Sequence, residues 1–138
     1  MRISMDEKIE AKTASARTIL IIDDEAQVRQ LLKSVLVRAG YEVDVAGDGN
    51  EGMRLFRQKR HALVITDLIM PEKEGIETIS ELRCEPNVPK IIAVSGGGRA
   101  PSEGYLLLAK RLGADATLRK PIPLNVLLDT VRELIGEN

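Results

Sequence analysis

From Thr18 onward the chain repeats one pattern: a short apolar run, a turn, then a stretch whose apolar residues recur at helical spacing. The apolar runs are Thr18 to Ile22, Tyr41 to Val45, Ala62 to Thr66, Lys90 to Val94 and a shorter one near Ala116 to Arg119. Their length and β-branched content predict strands. Between the first two, Val28, Leu31, Leu32, Val35, Leu36 and Ala39 fall at i, i+3, i+4, i+7 spacing, which predicts one buried helical face, and Gly40 follows as a stop. The last segment repeats the design: Pro123 at a helix start, then Leu124, Leu127, Leu128, Val131, Leu134 and Ile135, with Gly136 past the end. Met53 with Phe56, Ile76 with Ile79 and Leu82, and Leu108 with Leu112 mark three more helices. Leu106, Leu107 and Leu108 cannot all face one side of a helix, so one of them is expected to face a partner or a neighbouring helix.

The first, third and fourth runs are apolar almost without interruption, as strands covered on both faces are. Strands alternating with helices imply parallel pairing, because parallel neighbours need crossover connections. The expected fold is therefore a five-stranded α/β sandwich. Residues 1–17 are polar, rich in Lys, Glu, Ala and Ser, and lack a strong period. They read as an N-terminal extension, disordered or partly helical, ahead of a domain at residues 18–138. Ile3 and Ile9 are its candidates for docking on that domain.

A chain of 138 residues, 43 % hydrophobic and 30 % charged, fits one globular domain with a real core and one site. Twenty basic side chains face twenty-one acidic ones, so no global field draws in nucleic acid or an anionic membrane. The nearest basic cluster, Arg54, Arg57, Lys59, Arg60 and His61, reads as the solvated outer face of a helix end. His61 itself reads as a surface loop residue. Cys84 is the only cysteine, which excludes an internal disulfide, and it reads as a small apolar residue near a helix end. No apolar run reaches the ~20 residues of a membrane span, and the N-terminus lacks the apolar core of a signal peptide. A cytoplasmic protein is expected.

In an open parallel sheet, ligands gather at the carboxyl ends of the strands. The residues there are Asp23 and Asp24 after the first strand, Asp67 after the third, Ser95 after the fourth and Lys120 after the fifth. Each has an ordinary reading: helix cap, turn acid, loop serine, solvated lysine. All of these would have to hold independently at positions that converge. Three converging carboxylates repel one another, and a bound divalent cation is the cheapest relief; magnesium suits an all-oxygen, partly hydrated site. Such a cation would also let a carboxylate act as nucleophile toward a phosphoryl group, with Lys120 and Ser95 holding the other phosphoryl oxygens.

The stretches Ile21-Ile22-Asp23-Asp24-Glu25, Asp67-Leu68-Ile69-Met70-Pro71 with Gly75, Val94-Ser95-Gly96, and Lys120-Pro121 resemble the four signature blocks of response-regulator receiver domains, in the family's order. The resemblance covers Thr18 to about Ile135, and it is to the single-domain receivers of the chemotaxis-regulator type. It implies a flavodoxin-like doubly wound α/β fold with strand order 2-1-3-4-5 and helices on both faces. It implies Asp67 as acceptor of a phosphoryl group from a phosphohistidine on a sensor histidine kinase or histidine phosphotransfer protein. Asp23, Asp24, Asp67 and the backbone carbonyl of Ile69 would bind Mg²⁺, with Mn²⁺ able to substitute, and no organic cofactor is implied. Ser95 would shift toward the phosphoryl group, Lys120 would pair with it, and the Lys120-Pro121 bond would be cis. The implied output is a two-component phosphorelay switch that alters a protein-binding surface. The chain leaves no room for an output domain, so the signal is expected to run through protein contact, at a surface that the resemblance implies is made by the fourth and fifth helices and the fifth strand. The protein is expected to be a monomer or weak homodimer that binds neither nucleic acid nor membrane, and to catalyse only its own phosphorylation and slow dephosphorylation.

Two other classes compete. A magnesium-dependent phosphohydrolase also uses an aspartyl nucleophile, but such enzymes typically carry a second Asp two residues on, where Ile69 stands. A degenerate receiver used for docking or dimerisation would have lost an acidic pocket residue or the lysine, and neither is lost. The chain does depart from the family at Thr117, where most receivers carry an aromatic ring that turns inward on activation. The aromatic report is expected to pass to Tyr105, beyond the glycine-rich Gly96 to Gly104 loop, so Ser95, Tyr105 and Thr117 are the switch candidates. Ile69 and Gly97, two residues past Asp67 and Ser95, offer no polar side chain to orient a hydrolytic water. A long-lived phosphoprotein is therefore predicted: without a phosphatase, radiolabel on the protein should persist well beyond seconds, and loss within seconds would contradict it.

Overall fold

The computed structural model describes residues 17–70, 75–96 and 102–136, without the side chains of residues 102, 103 and 105. Residues 1–16 of the extension, and Gly97, lie outside the described residues. Among the described residues five strands and five helices alternate: β1 (Thr18–Ile22), α1 (Ala26–Arg38), β2 (Glu42–Ala46), α2 (Gly49–Lys59), β3 (Leu63–Asp67), α3 (Gly75–Arg83), β4 (Lys90–Ser95), α4 (Ser102–Leu112), β5 (Ala116–Arg119) and α5 (Leu124–Ile135). All pairings are parallel, in the order β2-β1-β3-β4-β5, which is the order and doubly wound class that the sequence led us to expect.

The two faces of the sheet bury two separate cores. On β1, Leu20 and Ile22 join Val64, Ile91 and Ala93 against Met53, Phe56, Ile79, Leu82, Leu106 and Ala109 of α2, α3 and α4. Ile19 and Ile21 point the other way and join Leu63, Ile65, Ile92 and Val94 against Leu32, Leu36, Leu127 and Val131 of α1 and α5. Every residue of β1 and β3 is buried, which explains their unbroken apolar composition. Gly40 and Gly136 follow helices α1 and α5 with φ of +100° and +84°, the left-handed stop that glycine permits.

Three readings of helical faces need correction. Leu31 is 52 % exposed, because Leu32 and Leu36, with Val28, aim α1 at the sheet and Leu31 lies off that face. In α4 the inward pair is Leu106 and Ala109, so Leu108 does not mark the buried face; Leu107 and Leu108 are 56 % and 43 % exposed. Cys84 is exposed, one residue past the end of α3.

The start of α3 is pressed onto the end of β3. The Gly75 amide donates to the Leu68 carbonyl at 3.0 Å. A Cβ at Gly75 would stand 2.0 Å from the Asp67 carbonyl oxygen and 2.7 Å from Leu68 Cα, both backbone atoms that cannot step aside. Gly104 in α4, by contrast, faces open space. Gly75→Ala should therefore destabilise the protein by about 2–3 kcal/mol through overpacking, whereas Gly104→Ala should stabilise it by about 0.5–1 kcal/mol. Urea denaturation of the two variants would check the opposite signs.

Candidate functional site

The register of the sheet assembles the site. Asp67 ends β3 opposite Val94, and Ser95 follows on β4 opposite Arg119, so Lys120 emerges beside Ser95. The Lys120 amide donates to the Ser95 carbonyl at 2.9 Å, and the Lys120-Pro121 bond is cis. Asp23 leaves β1 where Ile22 pairs with Thr66, next to Asp67, and its amide donates to the Ala46 carbonyl at 3.1 Å. The result is an open pocket of about 450 Å³ lined by Asp24, Glu25, Asp67, Ile69, Gly96, Lys120 and Pro121.

Asp23 and Asp67 are the buried carboxylates among the described residues, 2 % and 5 % exposed. Asp23 Oδ1 accepts from the Glu25 amide at 2.9 Å, and the Arg29 guanidinium donates to the Asp23 carbonyl at 2.7 Å. The Ile69 amide reaches Asp67 Oδ1 at 3.4 Å. The Lys120 ammonium sits among three carboxylates: Glu25 Oε1 at 2.8 Å, Asp23 Oδ2 at 3.0 Å and Asp67 Oδ2 at 3.4 Å. No side-chain cap closes the start of α1, so the acids before it do not act there as helix caps.

Burial, and next to it the charge of Asp23, pushes the Asp67 carboxyl from 3.8 up to about 6 even with Lys120 nearby. Asp23 is also raised, by burial, against the pull of the Glu25 amide and Lys120. For Lys120, burial works against the charged form, but hydrogen bonds to Glu25 and Asp23 and the field of Asp67 outweigh it and lift its pKa above the usual lysine value. One ammonium does not balance these acids. Asp23, Asp24 and Asp67 each offer a carboxylate oxygen, all within 4.8 Å of one another, and an all-oxygen set of this charge suits a hard divalent cation. Ser95 Oγ is buried and has no hydrogen-bond partner among the described residues, a donor held in reserve beside the pocket.

The structure thus brings together Asp23, Asp24, Asp67, Ile69, Ser95 and Lys120. Thr117 lies half-buried on β5 opposite Ala93, and Tyr105 lies in α4, its side chain outside the described residues. Sequence reasoning passed over Glu25 and Arg29, since an acid or a base beside a helix start is commonplace and only the fold shows what each reaches. It also misplaced His61, which is buried, stacked on Phe56 with centroids 6.3 Å apart, and bonded through Nε2 to Asp44 Oδ2 at 2.8 Å. Burial pushes the imidazole below its usual pKa despite Asp44, so this contact is a hydrogen bond of a neutral ring at neutral pH. The neighbouring basic cluster is neutralised: Arg57 pairs with Glu81 and Glu85, Arg60 with Glu85, Lys59 with Glu42 and Asp44, and Arg54 with Glu51.

The sequence model of the response regulator receiver domain matches residues 19–132, and the chain belongs to that family. It is 34 % identical over 122 residues to a relative from Rhizobium etli described as probable chemotaxis protein CheY, covering 86 % of this chain and 92 % of that one. It is 35 % identical to the transcriptional regulatory protein CpxR of Klebsiella pneumoniae over 85 % of this chain but 48 % of CpxR, and it spans about half the length of several other curated relatives. A solved response regulator receiver domain from Clostridium thermocellum superposes with a TM-score of 0.79 at 31 % identity, covering 86 % and 94 % of the two chains.

The raised pKa of Asp67 makes a prediction about stability. Its folded value lies above the unfolded one, so its protonated form contributes stability that is full below pH 3.8 and lost as the pH rises through about 6. The difference corresponds to about 3 kcal/mol against the charged form at neutral pH. Without divalent cation, Asp67→Asn should therefore be more stable than wild type by about 1–3 kcal/mol at pH 7.5, and the gap should close toward pH 4.5. Chemical denaturation across this range is the check; millimolar Mg²⁺ should narrow the gap at pH 7.5.

Proposed function

We propose that the protein is a magnesium-dependent phosphoacceptor whose nucleophile is Asp67. The supporting observation is the buried Asp67 carboxylate set among an acidic pair, the Lys120 ammonium and the Ser95 hydroxyl, which has no hydrogen-bond partner among the described residues, at one end of the sheet. A carboxylate oxygen of Asp67 attacks the phosphorus of a phosphohistidine. The P–N bond breaks, the ring nitrogen keeps the electron pair, and the imidazole, protonated at its other nitrogen, leaves neutral. Lys120 and Ser95 hydrogen-bond the phosphoryl oxygens of the acyl phosphate. Asp23, Asp24, Asp67 and the Ile69 carbonyl would hold Mg²⁺, or Mn²⁺ in its place; bound there it would neutralise the clustered carboxylates and the phosphoryl charge.

The donor would be a sensor histidine kinase or a histidine phosphotransfer protein, in the cytoplasm. Among the described residues, no helix is long and apolar enough to cross a membrane. The output would be a protein contact, and the exposed Leu107 and Leu108 of α4 with Val126 of α5 supply apolar surface for it. On this reading the protein turns over no substrate beyond its own phosphorylation and slow dephosphorylation. A phosphotransfer screen against histidine kinases tests it. Wild type should take up acid-stable, base-labile label that requires Mg²⁺, and Asp67→Asn should take up none. Label retained in Asp67→Asn, or many turnovers on small phosphate esters, would overturn the proposal.

A further inference from the structure

The proposed phosphoacceptor site contains a fourth carboxylate that its chemistry leaves unused. Glu25 precedes α1, yet its side chain makes no capping bond to that helix. Instead it crosses the pocket to Lys120, a residue 95 positions away, and makes the shortest of the three contacts of that ammonium, at 2.8 Å against 3.0 Å to Asp23 and 3.4 Å to Asp67. Its side chain is 54 % exposed, whereas those of Asp23 and Asp67 are 3 % and 6 % exposed. Glu25 is thus the outermost member of the ring and lines the pocket mouth with Asp24 and Pro121.

An ammonium has three protons to donate, and here three carboxylates face it. A phosphoryl group on Asp67 brings new oxygens that need one of those donors, so one existing contact must be released. Asp23 and Asp67 are sunk in the sheet end, while the Glu25 side chain already stands half in water. We infer that Glu25 is a positioning residue: it draws Lys120 toward the pocket mouth in the unphosphorylated protein and competes with the phosphoryl oxygens for it. Its charge at the mouth also repels small phosphate dianions as they approach. Both effects slow phosphorylation by a free acyl phosphate, in which Asp67 attacks phosphorus, the P–O bond to the carboxylate breaks, and the carboxylate leaves with the electron pair.

The inference rests on the phosphoacceptor reading, and the test separates the two. Wild type, Glu25→Gln and Glu25→Ala are labelled with acetyl phosphate at saturating Mg²⁺, at low and high salt, and the Lys120 side-chain ¹⁵N resonance is recorded before and after addition of beryllofluoride. Both variants should be phosphorylated about three- to tenfold faster than wild type, the part due to field shrinking at high salt. In the unphosphorylated variants the Lys120 resonance should be displaced from wild type, and with beryllofluoride the three should converge. Unchanged or slower labelling of both variants, or a Lys120 resonance indifferent to Glu25, overturns the role of Glu25 while the acceptor reading stands. Absence of label in wild type itself overturns both.

Discussion

Two carboxylates, Asp23 and Asp67, are buried side by side at the end of one sheet, and their repulsion is the constraint around which the site is built. Burial and mutual charge oppose ionisation of Asp67 strongly enough to raise it to about 6. A single ammonium, Lys120, offsets part of this, and the Glu25 and Ile69 amides offset more. The remaining imbalance is one that a divalent cation among Asp23, Asp24 and Asp67 would relieve. A core filled for stability alone would carry apolar residues at these positions.

The fold is what makes so uncomfortable an arrangement tolerable. Two apolar cores on opposite faces of the sheet hold every strand in register, so the strand ends are placed by packing that does not involve the acids. Parallel pairing then carries Asp23, Asp67, Ser95 and Lys120 to one edge although they lie far apart in the chain. Ser95 Oγ, buried with no bond partner among the described residues, is the clearest sign that this edge is not optimised for its resting state.

Much of this was legible in the sequence for a physical reason. Unbroken apolar runs such as Ile19 to Ile22 and Leu63 to Ile65 have no comfortable place except a doubly covered strand, and polar residues directly after them must stand at a strand end. That logic locates Asp23, Asp24, Asp67 and Ser95 without knowledge of their contacts, while Lys120 follows a shorter, mixed run. It fails where position along a helix or loop leaves burial undecided. Leu31 and Leu108 share an apolar character with their neighbours but sit a third of a turn off the packed face. His61 reads as a basic loop residue, yet it fills a gap beside Phe56, hydrogen-bonded to Asp44, and burial keeps it neutral. The reach of Glu25 to Lys120 is wholly a product of tertiary structure.

The missing side chain at Gly75 leaves helix α3 resting directly on the backbone of Asp67 and Leu68. There is no compressible side-chain layer at that joint, so backbone meets backbone. A rigid contact of this kind behaves as a lever seat: a small tilt or translation at the tip of β3 cannot be absorbed locally and is passed to the first turn of α3. The joint between β3 and α3 therefore yields only by moving backbone, never by repacking a side chain.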